Sequence, residues 1–461
     1  MILDGCSMKD NFTAIILAAG KGTRMKSKRA KVLQRVNGWP ILWYVLRATT
    51  ELAPSRFLVV VGNGAQAVRK EFSKWPVEFI EQREQLGTGH ALFQAYGHVS
   101  GDFLLIVPGD LPLLTSQVLS RFISCHNEQE ADLSVLSMVP ATPGAYGRLK
   151  RDIGGHPVKI VEERDATDEE LDIVEVNSGI YCVRNDEFLW LALRSLNAGN
   201  AQGEYYLTDL VEHYHCAGKH VTAIKAADPR QVIGVNSRSE LAIADRSMRL
   251  RKARELMGNG VTIVDPESTY IEPNVMIGRD TVILPGTHLS SGTTVGSDCT
   301  LGPETWIDAS KVEDEVGIRY SVIESARVRT GTTIGPYSHL RPGADVGPGA
   351  RIGNFVEVKA ARLRRGVKAG HLTYIGDSEV GENVNIGAGT ITCNYDGKAK
   401  HRTIIKDGAF IGSNTSIVAP VTIGERAVIG AGSTITEDVP PGTLAIGRAR
   451  QVNKHKKEEV E

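Results

Sequence analysis

Two stretches of the chain carry residue types that could do chemistry. The first is Leu17-Ala-Ala-Gly-Lys-Gly-Thr-Arg-Met25, a glycine-rich turn behind an apolar run, with Lys21, Arg24 and Lys31 close by in sequence. Backbone N–H groups in such a strand-to-helix turn, flanked by cations, suit a phosphate. The turn lacks the Gly-Lys-Ser/Thr of a P-loop, and Met25 stands where GxGxxG needs its third glycine. The glycines alone fit an ordinary turn equally well. Asp110 follows the apolar run Phe103–Val107 and Pro108, which removes a backbone donor; its carboxylate could reach a crevice or cap the next helix. The second stretch holds Val356-Glu-Val-Lys359, Lys368-Ala-Gly-His371 and Leu372-Thr-Tyr-Ile375. An imidazole with an ordinary pKa of about 6.5 can take a proton near neutral pH. Acyl transfer to an amine requires that, because an ammonium has no lone pair. Glu357 could orient the ring. Alone, His371 fits a structural role, and Arg341, Lys359 and Lys368 fit a solvated basic rim.

The elements that must position these residues differ between the two halves. Of 48 glycines, 22 fall in residues 1–260 and 26 in the shorter remainder. There, aliphatic–glycine pairs recur with a period of 18 (277 to 295, 316 to 334, 411 to 429) or 6 (295 to 301, 346 to 352, 380 to 386, 423 to 429). This hexapeptide repeat predicts a parallel β-helix, three units to a coil, with aliphatic side chains pointing into a narrow prism. The rhythm breaks between Ile352 and Val380, a gap of 28, and between Ile386 and Ile411, a gap of 25. An inserted loop is expected in each interval, and such loops commonly carry function; His371 falls in the first.

In the first half, Thr13–Leu17, Phe57–Val61 and Phe103–Val107 read as buried strands, and Pro40–Leu52 has helical spacing. Strands alternating with helices predict a mostly parallel sheet covered on both faces, with ligands beyond the carboxyl ends of the strands. Ser239–Met257 reads as one helix stopping at Gly258-Asn259-Gly260. The expected organisation is an α/β domain over 1–238, a linker helix over 239–259 and a β-helix over 260–461.

Composition sets limits. The chain has 461 residues, with 53 Lys+Arg against 54 Asp+Glu and a net charge of −1, which argues against a protein held on nucleic acid by a broad basic face. No apolar stretch is long enough to cross a bilayer. Met1–Thr13 has Asp4 and Asp10 and no apolar core, so no secretory signal is expected. The six cysteines (Cys6, Cys125, Cys182, Cys216, Cys299, Cys393) form no CxxC pair, which points to a reducing, cytoplasmic setting. The tail Asn453–Glu461 is charged and expected to be mobile.

Taken in order, the motifs resemble those of the sugar-1-phosphate nucleotidyltransferases. They are LAAGKGTRM with Lys31-Val32-Leu33, Gln82 with Glu84–Ala91, Gly109–Pro112, Tyr146-Gly147-Arg148, Glu162, Asn177-Ser-Gly179 and Gly203–Asp209. With the hexapeptide half and Gly370-His-Leu-Thr-Tyr374, the chain is similar, from about Ala14 to Arg450, to bifunctional bacterial enzymes. These are both N-acetylglucosamine-1-phosphate uridylyltransferases (diphosphorylases) and glucosamine-1-phosphate acetyltransferases, and they supply cell-wall precursors. The resemblance implies a Rossmann-like first domain and a left-handed β-helix, small-molecule substrates and a cytoplasmic homotrimer with shared acetyl-transfer sites. It places Leu17, Ala18, Ala19 and Gly20 in the nucleotide and sugar site, Arg24 and Lys31 on the phosphates of UTP as catalytic groups, Gln82, Gly87 and Thr88 at uracil, and Gly147, Glu162 and Asn177 at the sugar. Asp110 and Asn236 would ligate Mg²⁺. In the second half it implies His371 as general base, and Arg341, Lys359, Tyr374 and Asn385 on the sugar phosphate. Acetyl-CoA would meet Ala388, Asn394, Tyr395, Ser413, Ala431 and Arg448, with Lys400 near its phosphates. Ala30 stands where many relatives have proline, a change expected to affect loop stiffness. Two other readings stay open: a nucleotidyltransferase whose β-helix is only regulatory, and a non-catalytic scaffold.

Overall fold

The structure is a computed structural model that describes residues 11–454; the first ten residues, Cys6 among them, and the end of the charged tail from His455 lie outside it. Two compact units divide between Met248 and Arg249.

The first unit is built on a sheet of nine strands: β1 Phe12–Ala18, β2 Arg56–Val61, β3 Glu78–Glu81, β4 Phe103–Pro108, β5 Leu133–Met138, β6 Arg148–Arg151, β7 Pro157–Val161, β8 Val176–Arg184 and β9 Val221–Lys225. Its order is β9-β5-β8-β4-β1-β2-β3, with β6 paired to β8 and β7. β1 runs parallel to β2 and β4, β2 to β3, and β5 to β9; β8 is antiparallel to both β4 and β5. The sheet is therefore mixed: β8 is reversed within the main order, and β7, antiparallel to β6, is reversed at its side. The central strands are apolar throughout because both faces are covered. Ile16, Val59 and Leu105 face one core, Ile15, Leu58 and Ile106 the other.

The glycine-rich turn does not lead into an α-helix. After β1 the chain makes two short 3-10 turns, Thr23–Met25 and Lys31–Leu33, and the first long helix is Ile41–Thr50. Buried Met25 anchors this loop, and Gly22 has φ +59° with its missing Cβ only 2.8 Å from Lys31 Cβ. A side chain there would push Lys31 away. Ala30 keeps φ −52°, close to the angle proline imposes, so the backbone expected of a proline survives its replacement.

In the second unit every ladder is parallel, in three columns of short strands. The first coils repeat at 18 (Tyr270↔His288↔Trp306), but the inward column Ile283↔Leu301↔Ile318↔Ile334 runs at 18, 17 and 16, so Ile334 meets Ile318 and not Val316 as the spacing of 316 to 334 suggested. Buried threonine hydroxyls close the corners onto nearby carbonyls, as Thr287 does to Leu284 O at 2.7 Å and Thr415 to Gly412 O at 2.6 Å.

The two breaks in the repeat have different causes. The interval from Ile352 to Val380 contains no inserted loop. Strands Arg351–Lys359 and Lys368–Gly376 pair along their whole length, Arg351↔Lys368 to Lys359↔Gly376, and Lys368↔Asn385 continues the same offset of 17. Each coil is one residue short of 18. The second interval is a true insertion. Ser378↔Thr403, Asn385↔Phe410 and Ile391↔Ser416 are offset by 25, and the extra residues form a loop after Cys393 closed by a Tyr395↔Lys400 bridge.

The helix expected at 239–257 spans Arg238–Gly258; Ala244 and Met248 pack in the first unit, Ala253 and Leu256 in the second. Cys125, Cys182, Cys216, Cys299 and Cys393 are free thiols. Among the described residues no helix is long and apolar enough to cross a membrane.

Candidate functional sites

In the first unit a cavity of about 460 Å³ opens where β1 and β4 end, walled by Leu17, Ala18, Ala19, Gly20, Lys31, Gln82, Gly87, Thr88, Asp110, Glu162 and Asn177. Of the predicted residues, Arg24, Gly147 and Asn236 are outside its wall. Gly147 backs Glu162: a Cβ there would stand 3.4 Å from Glu162 Oε1. Arg24 is exposed on the 3-10 turn.

Lys31 Nζ donates to Asp110 Oδ2 and, at 3.0 Å, to Asn236 Oδ1. One ammonium thus holds together two oxygens that sequence places 126 residues apart (236 − 110). Asp110 does not cap the following helix, Ser116–Glu128; Thr115 accepts from Val118 N instead. Asn236 is fixed by a capping box at the start of the Arg238–Gly258 helix. Glu240 Oε2 accepts from Asn236 N at 2.5 Å and Ser237 N at 3.0 Å, while Ser237 Oγ accepts from Glu240 N at 3.2 Å. A carboxylate and an amide oxygen converging on one cation are the hard donors Mg²⁺ takes when water and phosphate fill its other positions. The residues present fit that ion.

Around the rest of the cavity, each polar group is already oriented. Gln82 gives its amide protons to Gly87 O (3.0 Å) and His90 Nδ1 (3.0 Å), which leaves Oε1 as what it can offer a ligand. Gly87 has φ +114° and its missing Cβ would lie 2.6 Å from Tyr205 O, so only glycine fits. Burial raises the pKa of Glu162, partly offset by a 3.1 Å bond from Thr208 Oγ1. Asn177 Oδ1 accepts from Gly179 N at 2.8 Å and its Nδ2 donates to Tyr181 OH at 2.7 Å; burial holds that phenol far above its ordinary pKa. Thr208 and Tyr181 line the cavity but were not singled out from sequence. Thr208 lies inside the Gly203–Asp209 motif, which could have flagged it; nothing near Tyr181 could.

In the second unit His371 is exposed on the strand Lys368–Gly376, not in an inserted loop. Its Nδ1 lies 3.1 Å from Asn354 Oδ1, its neighbour across the ladder. An amide oxygen can only accept, so Nδ1 carries the proton and Nε2 keeps a lone pair. The expected partner Glu357 is engaged elsewhere, accepting from Arg341 Nη1 at 2.7 Å. The strand turns at Leu372 (φ +45°) between His371 and Tyr374. Past that turn lie Tyr374, opposite Glu357, and Arg341, whose N donates to Val358 O beside Lys359. Asn394 donates to Tyr374 OH (3.4 Å) and to Asp377 Oδ2. Asn385 pairs with Lys368, on the other side of the turn from Tyr374.

The other predicted residues rise coil by coil above His371. Asn414 N donates to Ala388 O (2.7 Å), Gly432 N to Ser413 O (2.7 Å), and Arg448 Nη1 to Ala431 O (2.6 Å). Ala388, Ser413, Ala431 and Arg448 thus form a single column. The inserted loop carries exposed Tyr395 and Lys400. Asp396 fixes it, accepting from Lys398 N, Ala399 N and His401 Nε2, each at 2.7 Å, and these bonds hold its carboxyl far below the usual range. A larger cavity of about 590 Å³, with Arg364, Glu379 and Asp407 in its wall, holds none of the predicted residues. Asp407 and Asp438 there spend oxygens on the Glu382 and Thr422 amides (2.8 and 2.7 Å).

Fold and sites define a two-unit transferase: a nucleotidyltransferase sheet joined to a hexapeptide β-helix. A MobA-like NTP transferase domain model matches residues 14–173, and a bacterial transferase hexapeptide model matches 402–437. Proteins named bifunctional protein GlmU are 47% identical over 445 residues in Brevibacillus brevis (96% of each chain) and 50% identical over 440 residues in Carboxydothermus hydrogenoformans (95% of this chain, 98% of that one). A third, from a Geobacillus species, is 47% identical over 443 residues, 96% of each chain. The chain belongs to the bifunctional GlmU family, and it is an enzyme with two transferase activities.

Proposed function

We propose that the chain makes UDP-N-acetylglucosamine in two steps, one on each unit. In the first, acetyl-CoA acylates glucosamine-1-phosphate. Asn354 keeps the Nδ1 proton of His371 in place, so Nε2 takes the proton of the attacking amine, and Arg341, Lys359 and Tyr374 offer charge and hydrogen bonds to the sugar phosphate. The thiol of CoA leaves along the Ala388–Ser413–Ala431 column, with Lys400 and Arg448 at its phosphates.

In the second step N-acetylglucosamine-1-phosphate attacks the α-phosphorus of UTP and pyrophosphate leaves. Lys31 and Arg24 stabilise the charge that builds on the phosphates. Gln82 Oε1 is an acceptor for the imide N–H of uracil, while Glu162 and Asn177 meet the sugar. Asp110 and Asn236 would hold Mg²⁺, which supplies charge neutralisation when bound. The working assembly is a cytoplasmic homotrimer. In its favour, Asn385 and Tyr374 diverge across the turn at Leu372 and Tyr395 stands exposed on the inserted loop, as expected of a site completed by another copy.

What carries the reading is that each unit holds its own set of reacting groups and shares none with the other. Asp110→Ala should abolish Mg²⁺-dependent pyrophosphate release and leave thiol release from acetyl-CoA intact; His371→Ala should do the reverse. A folded variant that loses both activities would sink the two-site scheme.

A further inference from the structure

Tyr146 belongs to the Tyr146-Gly147-Arg148 motif but has no role in the scheme above. It is half-buried, and its hydroxyl accepts a 3.0 Å bond from Gly234 N. Gly234 lies against the cation pair: a Cβ there would stand 3.2 Å from Asp110 Oδ2 and 3.5 Å from Asn236 Nδ2. Val235 N bonds to Asp110 O at 3.0 Å, so the 234–236 segment and Asp110 move together. On its other side, Tyr146 is followed by Gly147, which backs the buried carboxylate of Glu162. Arg148 locks the bend, its Nη1 donating to Gly144 O at 2.7 Å and to Tyr146 O.

We propose that Tyr146 is a positioning residue for nucleotidyl transfer: its hydroxyl, by holding the Gly234 amide, sets the spacing of the Asp110 and Asn236 oxygens that receive the cation. The inference rests on the nucleotidyl-transfer reading and deepens it. Burial, reinforced by the charges of Asp110 and Glu240, pushes the phenol up to about 12.

The test is Tyr146→Phe in the full chain, which keeps the ring and removes only the hydroxyl. Outer partners of metal ligands are typically worth about 10–100-fold in metal affinity. The Mg²⁺ concentration for half-maximal pyrophosphate release should rise about 10-fold, and Mn²⁺ binding to the nucleotide-free protein, read by electron paramagnetic resonance, should weaken in step. The KM for the sugar phosphate should stay within about twofold, since the lost hydroxyl supports the metal's ligands and not the sugar. Gly234→Ala should give the same signature through its tight approach to Asp110. Unchanged Mg²⁺ and Mn²⁺ dependence in a folded Tyr146→Phe overturns the proposal, and so does a rise in sugar KM alone, which would make Tyr146 a substrate contact. Asp110→Ala separates the underlying reading: if it binds Mn²⁺ as wild type does, the cation pair itself is misassigned.

Discussion

The pairing of His371 with Asn354 shows how one side chain sets the chemistry of another. A neutral acceptor at 3.1 Å selects the tautomer with a free Nε2 without adding a charge. A hydrogen bond of this kind contributes about 1 kcal/mol. Asn354→Ala should therefore lower kcat for acetyl transfer by roughly 5–10-fold. Pyrophosphate release should be unaffected; a thiol-release assay on both proteins checks this, and an unchanged kcat would show that Asn354 does not orient the ring. His371 could be picked out from its motif, but its partner could not. Glu357 looked better on charge, and only the ladder register puts Asn354 opposite and leaves Glu357 to Arg341. Asp110 and Lys31 were likewise readable singly and the resemblance joined Asn236 to Asp110, but that Lys31 bridges the two needed the fold.

At the level of elements, the repeat arithmetic gave the β-helix and its three-fold coil directly, because each inward aliphatic must meet its copy one coil away. It misjudged the first break. Ala369-Gly370 is the missing member of the Ile352-Gly353 and Ile386-Gly387 series, at 17 and 17, but an alanine does not stand out as an inward aliphatic. A coil one residue short therefore looked like an insertion. In the first unit, the reversed β8 was hidden because its Ile180–Val183 run is apolar like the strands beside it, and an apolar run carries no sign of direction. The helix Ser116–Glu128 carries a further consequence. Its His126 is buried against β5 and β9, with Nδ1 2.7 Å from Ser134 Oγ, itself 2.9 Å from Thr222 Oγ1. Burial, with a contribution from Arg184 that outweighs Asp132, lowers its pKa from 6.5 to about 4. The folded state thus refuses a proton that the unfolded chain accepts. Stability is complete above pH 6.5 and declines as pH falls towards 4, by up to about 3 kcal/mol. Urea unfolding of the first unit between about pH 7 and 4 should show the loss, and His126→Phe should reduce it. A wild-type profile flat over that window would contradict the burial argument.

For the whole molecule, two transferases on one chain raise the question of whether the intermediate must stay bound between them. Each candidate site is set by its own fold: the first is a cavity walled by one unit, and the second presents an exposed His371 on a β-helix. No residue named at one site is named at the other, so neither reaction needs the other's groups in place. Free release is then expected, and the advantage of fusion is equal amounts of two activities. Asp110→Ala should still acetylate and His371→Ala should still transfer the uridylyl group. A mixture of the two purified proteins, given glucosamine-1-phosphate, acetyl-CoA, UTP and Mg²⁺, should make UDP-N-acetylglucosamine after a lag during which the intermediate accumulates in solution. The lag should shorten as total protein rises. If the mixture makes no product although each variant retains its single activity, the intermediate passes only within one assembly, and the two sites are coupled in a way their separate construction does not require.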